Sequence, residues 1–191
     1  MNYLLHGYTR MGWVDRIPFA GDLYIGGLYA IYQTDLFKAA NITHVLSVID
    51  YDPFPRNRFD HLQHLHIRAD DEPNQNLLQY FDQANAFIAS GLKDEGGVFV
   101  HCAMGKSRSA TLAVAYLMQK HNLSTSKALE KVCEGRPVCH PNPGFLEQLE
   151  VYHMMLKNKP ETDRIYADWL ANRFTGTSWE WEARVTATPK L

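Results

Sequence analysis

The sequence is poor in cysteine. Three thiols in 191 residues (Cys102, Cys133, Cys139) are too few, and too odd in number, for a secreted disulfide framework. No Cys-x-x-Cys pair occurs, which argues against a structural zinc cage. Basic residues are not in excess either: 19 Lys and Arg against 21 Asp and Glu give a formal net charge of -2, a weak electrostatic footprint for nucleic acid. Nothing approaches the roughly eighteen consecutive apolar residues of a membrane span, and the N-terminus lacks the basic start and apolar run of a signal peptide. Internal repeats are missing too. Together these absences read as a soluble chain from a reducing, intracellular setting, with no membrane partner. What remains is 46% hydrophobic and 21% charged, in the length of one generous domain or a domain with a tail. A chain of this size buries roughly 70% of its unfolded surface and needs no disulfide or metal staple.

Residues 1–21 are mixed and end in a turn-like Pro18-Phe19-Ala20-Gly21. Leu23-Tyr24-Ile25 before Gly26-Gly27 reads as a short strand, and Thr34 as the cap of a helix over Asp35–Ala40. Ile42–Ile49 is rich in β-branched residues and reads as a strand, followed by a proline-punctuated loop, Asp50–Arg58. Leu65, Ile67 and Ala69 alternate with His64, His66 and Arg68, which is half-buried strand patterning, and the polar loop Asp70-Asp71-Glu72-Pro73 follows. Leu77, Phe81, Ala84 and Ile88 predict an amphipathic helix over 77–92. Val98-Phe99-Val100 reads as a strand covered on both faces, and Ala110–Met118 as a central buried helix. Further helices are predicted from Ser124 or Thr125 to Glu134, around Phe145, Leu149, Tyr152 and Met155, and over 163–174. From Thr175 the chain is polar, with Trp179 and Trp181 as its large apolar anchors. Strands alternating with helices predict an α/β fold: a central mixed, largely parallel sheet with helices on both faces.

The chemistry concentrates in His101-Cys102-Ala103-Met104-Gly105-Lys106-Ser107-Arg108-Ser109, a loop between a buried strand and a buried helix. A strand-to-helix turn aims several backbone N–H groups at one point, where the helix dipole adds positive potential. Gly105 permits the tight turn. Arg108 can return to the mouth of this cradle and grip two phosphate oxygens at once. The same field favours the thiolate of Cys102, since helix-start cysteines titrate at about 3.5–7.5. His101, at the strand end, stiffens the loop by hydrogen bonding its backbone. The bland alternative is a buried small hydrophobe beside a turn glycine. Cys133 and Cys139 serve as controls: neither is followed by an arginine at the same spacing.

His-Cys-x5-Arg-Ser resembles the protein tyrosine phosphatase superfamily, and the small domain resembles its dual-specificity branch. The likeness runs over roughly Asp22–Leu156 and includes Leu23–Gly27, Ala69-Asp70-Asp71, residues 98–118 and Pro141–Phe145. Arg16-Ile17, the Cys-Ala-Met-Gly-Lys-Ser-Arg-Ser-Ala string and Phe145-Leu146-Glu147-Gln148-Leu149 are most similar to the fungal Yvh1 phosphatases. The resemblance implies an N-terminal segment (1–21), a catalytic domain (22–158), and a C-terminal helix and tail (159–191) leading toward a zinc-binding domain absent from this chain. It also implies a role in maturing the large ribosomal subunit, a pre-ribosomal particle as partner, and residence in cytoplasm and nucleus.

A departing phosphoester oxygen needs a proton, and Asp70, Asp71 and Glu72 offer three candidates on one loop. The resemblance selects Asp71, from its place ahead of Asn76-Leu77-Leu78-Gln79-Tyr80-Phe81. It further implies that Ser109 eases breakdown of a phosphocysteine and that Asn142 braces the loop, although such turns also favour asparagine. Arg136 matches, with one residue of spacing different, an arginine that contacts a second phosphate or an acidic flank; a plain surface arginine is the simpler reading. Lys106 falls at the pocket rim. His61, His64 and His66 invite a metal reading, but no third ligand lies near, and solvated strand histidines explain them. No cofactor or metal is called for. The implied function is a cysteine-dependent phosphatase acting on phosphotyrosine and phosphoserine/threonine in protein substrates. Two alternatives stand beside it: an assembly adaptor whose catalysis is dispensable, and a phosphoinositide phosphatase, disfavoured because positions 103 and 104 are Ala and Met rather than lysine.

Overall fold

The computed structural model describes residues 12–53, 60–94 and 96–187. Positions 1–11 and 54–59, which include parts of the expected N-terminal segment and proline-punctuated loop, lie outside the described residues. In chain order the elements are β1 (Asp15–Arg16), β2 (Leu23–Gly27), a 3-10 turn (Leu28–Tyr32), α1 (Thr34–Ala39), β3 (Ile42–Val48), β4 (Gln63–Ile67), a second 3-10 turn (Leu78–Tyr80), α2 (Phe81–Lys93), β5 (Gly97–Cys102), α3 (Arg108–His121), α4 (Thr125–Gly135), α5 (Pro143–Lys157), a third 3-10 turn (Lys159–Glu161), α6 (Thr162–Asn172) and α7 (Ser178–Ala187).

The strands lie in the order β1-β2-β5-β3-β4. β2, β5, β3 and β4 run parallel, and β1 joins β2 antiparallel, so the sheet is mixed and largely parallel. β5 sits at the centre, fully buried from Gly97 to Cys102, because Val98-Phe99-Val100 offers an apolar side chain to both faces. Val98 and Val100 enter the larger core with Leu46, Val48, Ile88, Leu112 and Phe145. Phe99 points the other way, into a smaller core with Ile31, Phe37 and Val45 beneath α1. α3 is buried from Arg108 to Met118, as its all-round apolar sequence requires, and α2, α4 and α5 pack around it. Asn122 ends α3 in the left-handed conformation (φ 54°), which asparagine tolerates.

Several elements depart from the sequence expectation. Thr34 is the first helical residue of α1 rather than its cap; Gln33 holds the cap position without a side-chain bond. The 77–92 helix opens with a 3-10 turn, and its α-helical part begins at Phe81. β1 was masked by the mixed composition of residues 1–21: a two-residue strand has too little pattern to read. The polar stretch after Thr175 folds as α7. A capping box explains it, with Glu180 accepting from the Thr177 N–H (2.7 Å) and the Thr177 hydroxyl accepting from the Glu180 N–H (3.3 Å). Of the two tryptophans, only Trp181 is an anchor, 9% exposed and edge-on to Phe174; Trp179 is 78% exposed.

Candidate active site

β5 delivers Cys102 and α3 begins at Arg108, so the phosphate-binding loop is pinned at both ends by buried elements. Gly105 turns it at φ 65°, and a Cβ there would stand 2.3 Å from the Gly26 carbonyl carbon, so only glycine fits. The Leu28 N–H donates to the Ala103 carbonyl (3.0 Å) and the His140 N–H to the Lys106 carbonyl (2.7 Å), tying both flanks of the loop. Cys102 is 1% exposed. Its sulfur accepts from the Gly105 N–H at 3.2 Å and lies 3.3 Å from the Ser109 hydroxyl. An amide N–H and a hydroxyl thus stand against the buried sulfur.

Arg108 is equally confined. Its Nη1 donates to the Ala69 carbonyl (3.0 Å) and lies 3.6 Å from Asp50 Oδ1. Its buried Nε lacks a hydrogen-bond acceptor; Asp71 Oδ2 stands 3.9 Å away. A buried guanidinium N–H left unmatched is costly, and a phosphate oxygen above the cradle would satisfy it. Asp71 faces this spot, held by Ser107 Oγ (2.6 Å) and Asn142 Nδ2 (2.9 Å) on its Oδ1. Asp70, its neighbour, is exposed and meets Gln75 through its own backbone N–H. Asn142 serves twice, since its Oδ1 also caps α5 at the Phe145 N–H (3.0 Å). The sequence alternatives for this asparagine, loop brace and turn former, are therefore one arrangement.

Arg136 is not a surface arginine. It is 5% exposed, and its Nε and Nη2 donate to the carbonyls of Gly105 (2.8 Å) and Met104 (3.1 Å). Nη1 binds Asp15 and the Gly12 carbonyl. With every nitrogen engaged, it braces the outer side of the loop rather than offering itself to a second phosphate. The exposed Lys106 lines, with Trp13, Tyr29, Met104 and Val138, a groove of about 500 Å³ beside the loop.

Behind the loop a polar chain crosses the sheet. His101 Nδ1 lies 3.3 Å from the Cys102 carbonyl, so it carries the proton. Nε2 then accepts from the Ser47 hydroxyl (2.6 Å), whose oxygen accepts in turn from His64 Nε2 (2.8 Å). His64 and His66 stack at 6.2 Å, and His66 Nε2 donates to the Ile49 carbonyl (2.9 Å). These two histidines are half-buried and bonded, not merely solvated. Among the described residues no group of three His, Cys, Asp or Glu side chains is placed to hold a metal ion.

Burial drives His101 down to about 4, chiefly by desolvation, so it is neutral at physiological pH. An unfolded histidine takes up a proton near pH 6.5, while the folded one resists until about pH 4. Stability is then expected to fall as pH drops through that window, by on the order of 3 kcal/mol from this group. Thermal melts between pH 7 and 4 should show the loss. His101→Gln should flatten it, and an unchanged pH slope in that variant would remove His101 as the cause.

Asp50, Ser47 and Asp15 escaped the sequence analysis. No local motif marks them, since each meets its partner across a long stretch of chain.

The family model described as "Dual specificity phosphatase, catalytic domain" matches residues 23–155. The chain is 43% identical over 160 residues to the tyrosine-protein phosphatase yvh1 of Schizosaccharomyces pombe, covering 84% of this chain and 48% of that protein. It is 40% identical over 137 residues to dual specificity protein phosphatase 1B of Arabidopsis thaliana, covering 71% and 80%. The crystal structure of the Yvh1 phosphatase domain from Chaetomium thermophilum superposes with a TM-score of 0.68 at 39% identity, over 78% of this chain and 98% of that one. The chain thus spans about half the length of its fission-yeast relative. A buried cysteine and a buried arginine at the two ends of one strand-to-helix loop, and a family match over most of the chain, lead to one conclusion: it belongs to the dual-specificity phosphatases of the protein tyrosine phosphatase superfamily, in their Yvh1-like part.

Proposed function

We propose that this chain hydrolyses phosphotyrosine and phosphoserine/threonine in protein substrates through a phosphocysteine, with Cys102 as nucleophile. The observation that carries this reading is the buried Cys102 sulfur, bonded by the Gly105 N–H and set against the Ser109 hydroxyl, in a loop that leads into the buried Arg108. The thiolate attacks phosphorus while Arg108 and the N–H groups of residues 103–107 hold the equatorial oxygens. The P–O bond breaks, and Asp71 passes its proton to the leaving oxygen. Water, deprotonated by Asp71, then attacks phosphorus; the S–P bond breaks, and Ser109 stabilises the departing thiolate. None of these steps calls for a cofactor or a metal.

Differential alkylation tests it. Burial pushes the Cys139 thiol up to about 12 and also raises Cys133, so both stay protonated near neutrality. Iodoacetate at about pH 6 should modify Cys102 first, and inorganic phosphate should protect it. Equal labelling of all three thiols, or no protection, counts against the mechanism.

The likeness to Yvh1 phosphatases supports a finer reading: action in cytoplasm and nucleus, in contact with pre-ribosomal particles during large-subunit maturation. A Cys102→Ser form expressed in cells lacking the protein tests whether catalysis serves that role. Failure to restore subunit maturation supports the enzyme reading, and full restoration favours an assembly adaptor. The neutral Ala103 and Met104 at the loop continue to disfavour a phosphoinositide substrate.

A further inference from the structure

We propose that α6 and α7, together with Arg173 between them, position the loop that carries the general acid. This rests on the reading of Asp71 as that acid. All three lie beyond the 23–155 matched by the family model, so the device adds to what the family shares.

The segment 71–77 is clasped from two sides, and its residues alternate between them. α5 and its cap hold the odd positions. Asn142 binds Asp71, and Gly144 sits so close to Pro73 that a Cβ would stand 2.1 Å from its carbonyl oxygen. The 1%-exposed Gln148 donates to the Gln75 carbonyl (2.9 Å) and accepts from the Leu77 N–H (2.7 Å). The C-terminal helices hold the even positions. The Ser178 hydroxyl donates to Glu72, Arg173 Nη1 to the Asn74 carbonyl, and Asn76 Nδ2 to the Tyr166 hydroxyl at 2.9 Å. The remaining bonds of 72, 74 and 76, such as Gln75 N–H to the Glu72 carbonyl and Gln79 to Asn76, are local to the segment.

The second clasp is itself anchored. Ile165, Tyr166 and Trp169 pack against the main core. Trp169 donates to Glu147 on α5 (3.0 Å), and the Arg173 guanidinium lies 6.0 Å from the centre of its ring. A rigid element is thus bolted to α5 and reaches back to the residue next to Asp71. An acid displaced by about an ångström loses much of its effect, because proton transfer needs hydrogen-bond distance in the transition state. Asn142 and Ser107 fix the Asp71 carboxylate from the loop side. Arg173 holds the Asn74 backbone carbonyl, and Tyr166 and Ser178 hold the side chains of Asn76 and Glu72, on the segment that presents it. They are positioning residues, not catalytic ones.

The test uses the full chain with Tyr166→Phe, Arg173→Gln and Ser178→Ala, singly and combined, after thermal melts establish that each folds. The triple variant is expected to lose about tenfold in kcat on a phosphotyrosine peptide. It should lose less than about twofold on an aryl phosphate with an acidic leaving group, which needs no proton. Arg173→Lys should recover part of the loss when it replaces Arg173→Gln in the triple. Equal losses on both substrates, or none on either, overturn the inference. Asp71→Asn measured alongside separates the two levels. If it lacks leaving-group dependence, the acid assignment and this inference fall together; if it has that dependence and the triple variant behaves as wild type, only the positioning role falls.

Discussion

Cys102→Ser is expected to abolish turnover of a phosphotyrosine peptide, lowering kcat by about 10⁴-fold or more. The donors around the sulfur, the Gly105 N–H at 3.2 Å and the Ser109 hydroxyl at 3.3 Å, stabilise an anion there. They do so for sulfur, and thiols as a class yield their proton far more readily than alcohols. A serine hydroxyl needs a base to do so, and among the described residues no histidine is bonded to the Cys102 sulfur: His101 points its Nε2 toward Ser47. The exchange of sulfur for oxygen at a fully buried point changes little in shape, so the fold and the Arg108 cradle should survive. The variant should therefore still bind the phosphopeptide, measurable by calorimetry, while phosphate release stops. Retention of more than about 1% of the wild-type rate would mean that another group attacks phosphorus.

The second large effect separates two adjacent carboxylates. With Asp71→Asn, a substrate whose leaving phenol titrates near 10, or a serine alkoxide, should lose about 10²–10⁴-fold in kcat. An aryl phosphate with an already acidic leaving group should lose far less. The alkaline limb of the kcat–pH profile, which reports deprotonation of the acid, should disappear with it. Asparagine can still accept from Ser107 and Asn142, so the loss will report proton transfer more than misfolding. Asp70→Asn should keep both the limb and most of the activity, since the Asp70 side chain is exposed and only its backbone is bonded. The reverse pattern in the two variants would transfer the acid role to Asp70 and leave the cysteine chemistry standing.

How much of this was legible in the sequence depends on how far apart the partners lie. The phosphate loop is nine contiguous residues between two elements of strong pattern, so its position and the convergence on Cys102 could be read directly. Asp71 needed more: three acidic residues compete locally, and a resemblance selected among them. The structure adds the physical reason, that Asp71 alone of the three is held toward Arg108. Arg136 was unreadable because burial is a property of the fold; its partner Asp15 stands on a two-residue strand with no pattern of its own. Ser47 and His64 belong to strands whose registry decides that they meet, and alternation alone suggests water instead. α7 left one local trace, the Thr177-x-x-Glu180 capping box, which the polar composition around it concealed.

The strand order has a consequence for the time course of folding. β2 and β3 flank β5 and pair with nothing else between them, so neither side of the sheet joins the other until the chain has reached Cys102. During synthesis the earlier strands must wait for a partner made much later, a topology that folds slowly and exposes apolar surface in the interval. β5 is also the strand that ends on the nucleophile. The sheet therefore closes on the strand that carries Cys102, while Arg108, Ser109 and Asn142, which complete the site, arrive with the segments that follow. A nascent chain should gain the chemical reactivity of Cys102 only once α3 has followed β5, because Ser109, whose hydroxyl lies against the sulfur, stands on that helix.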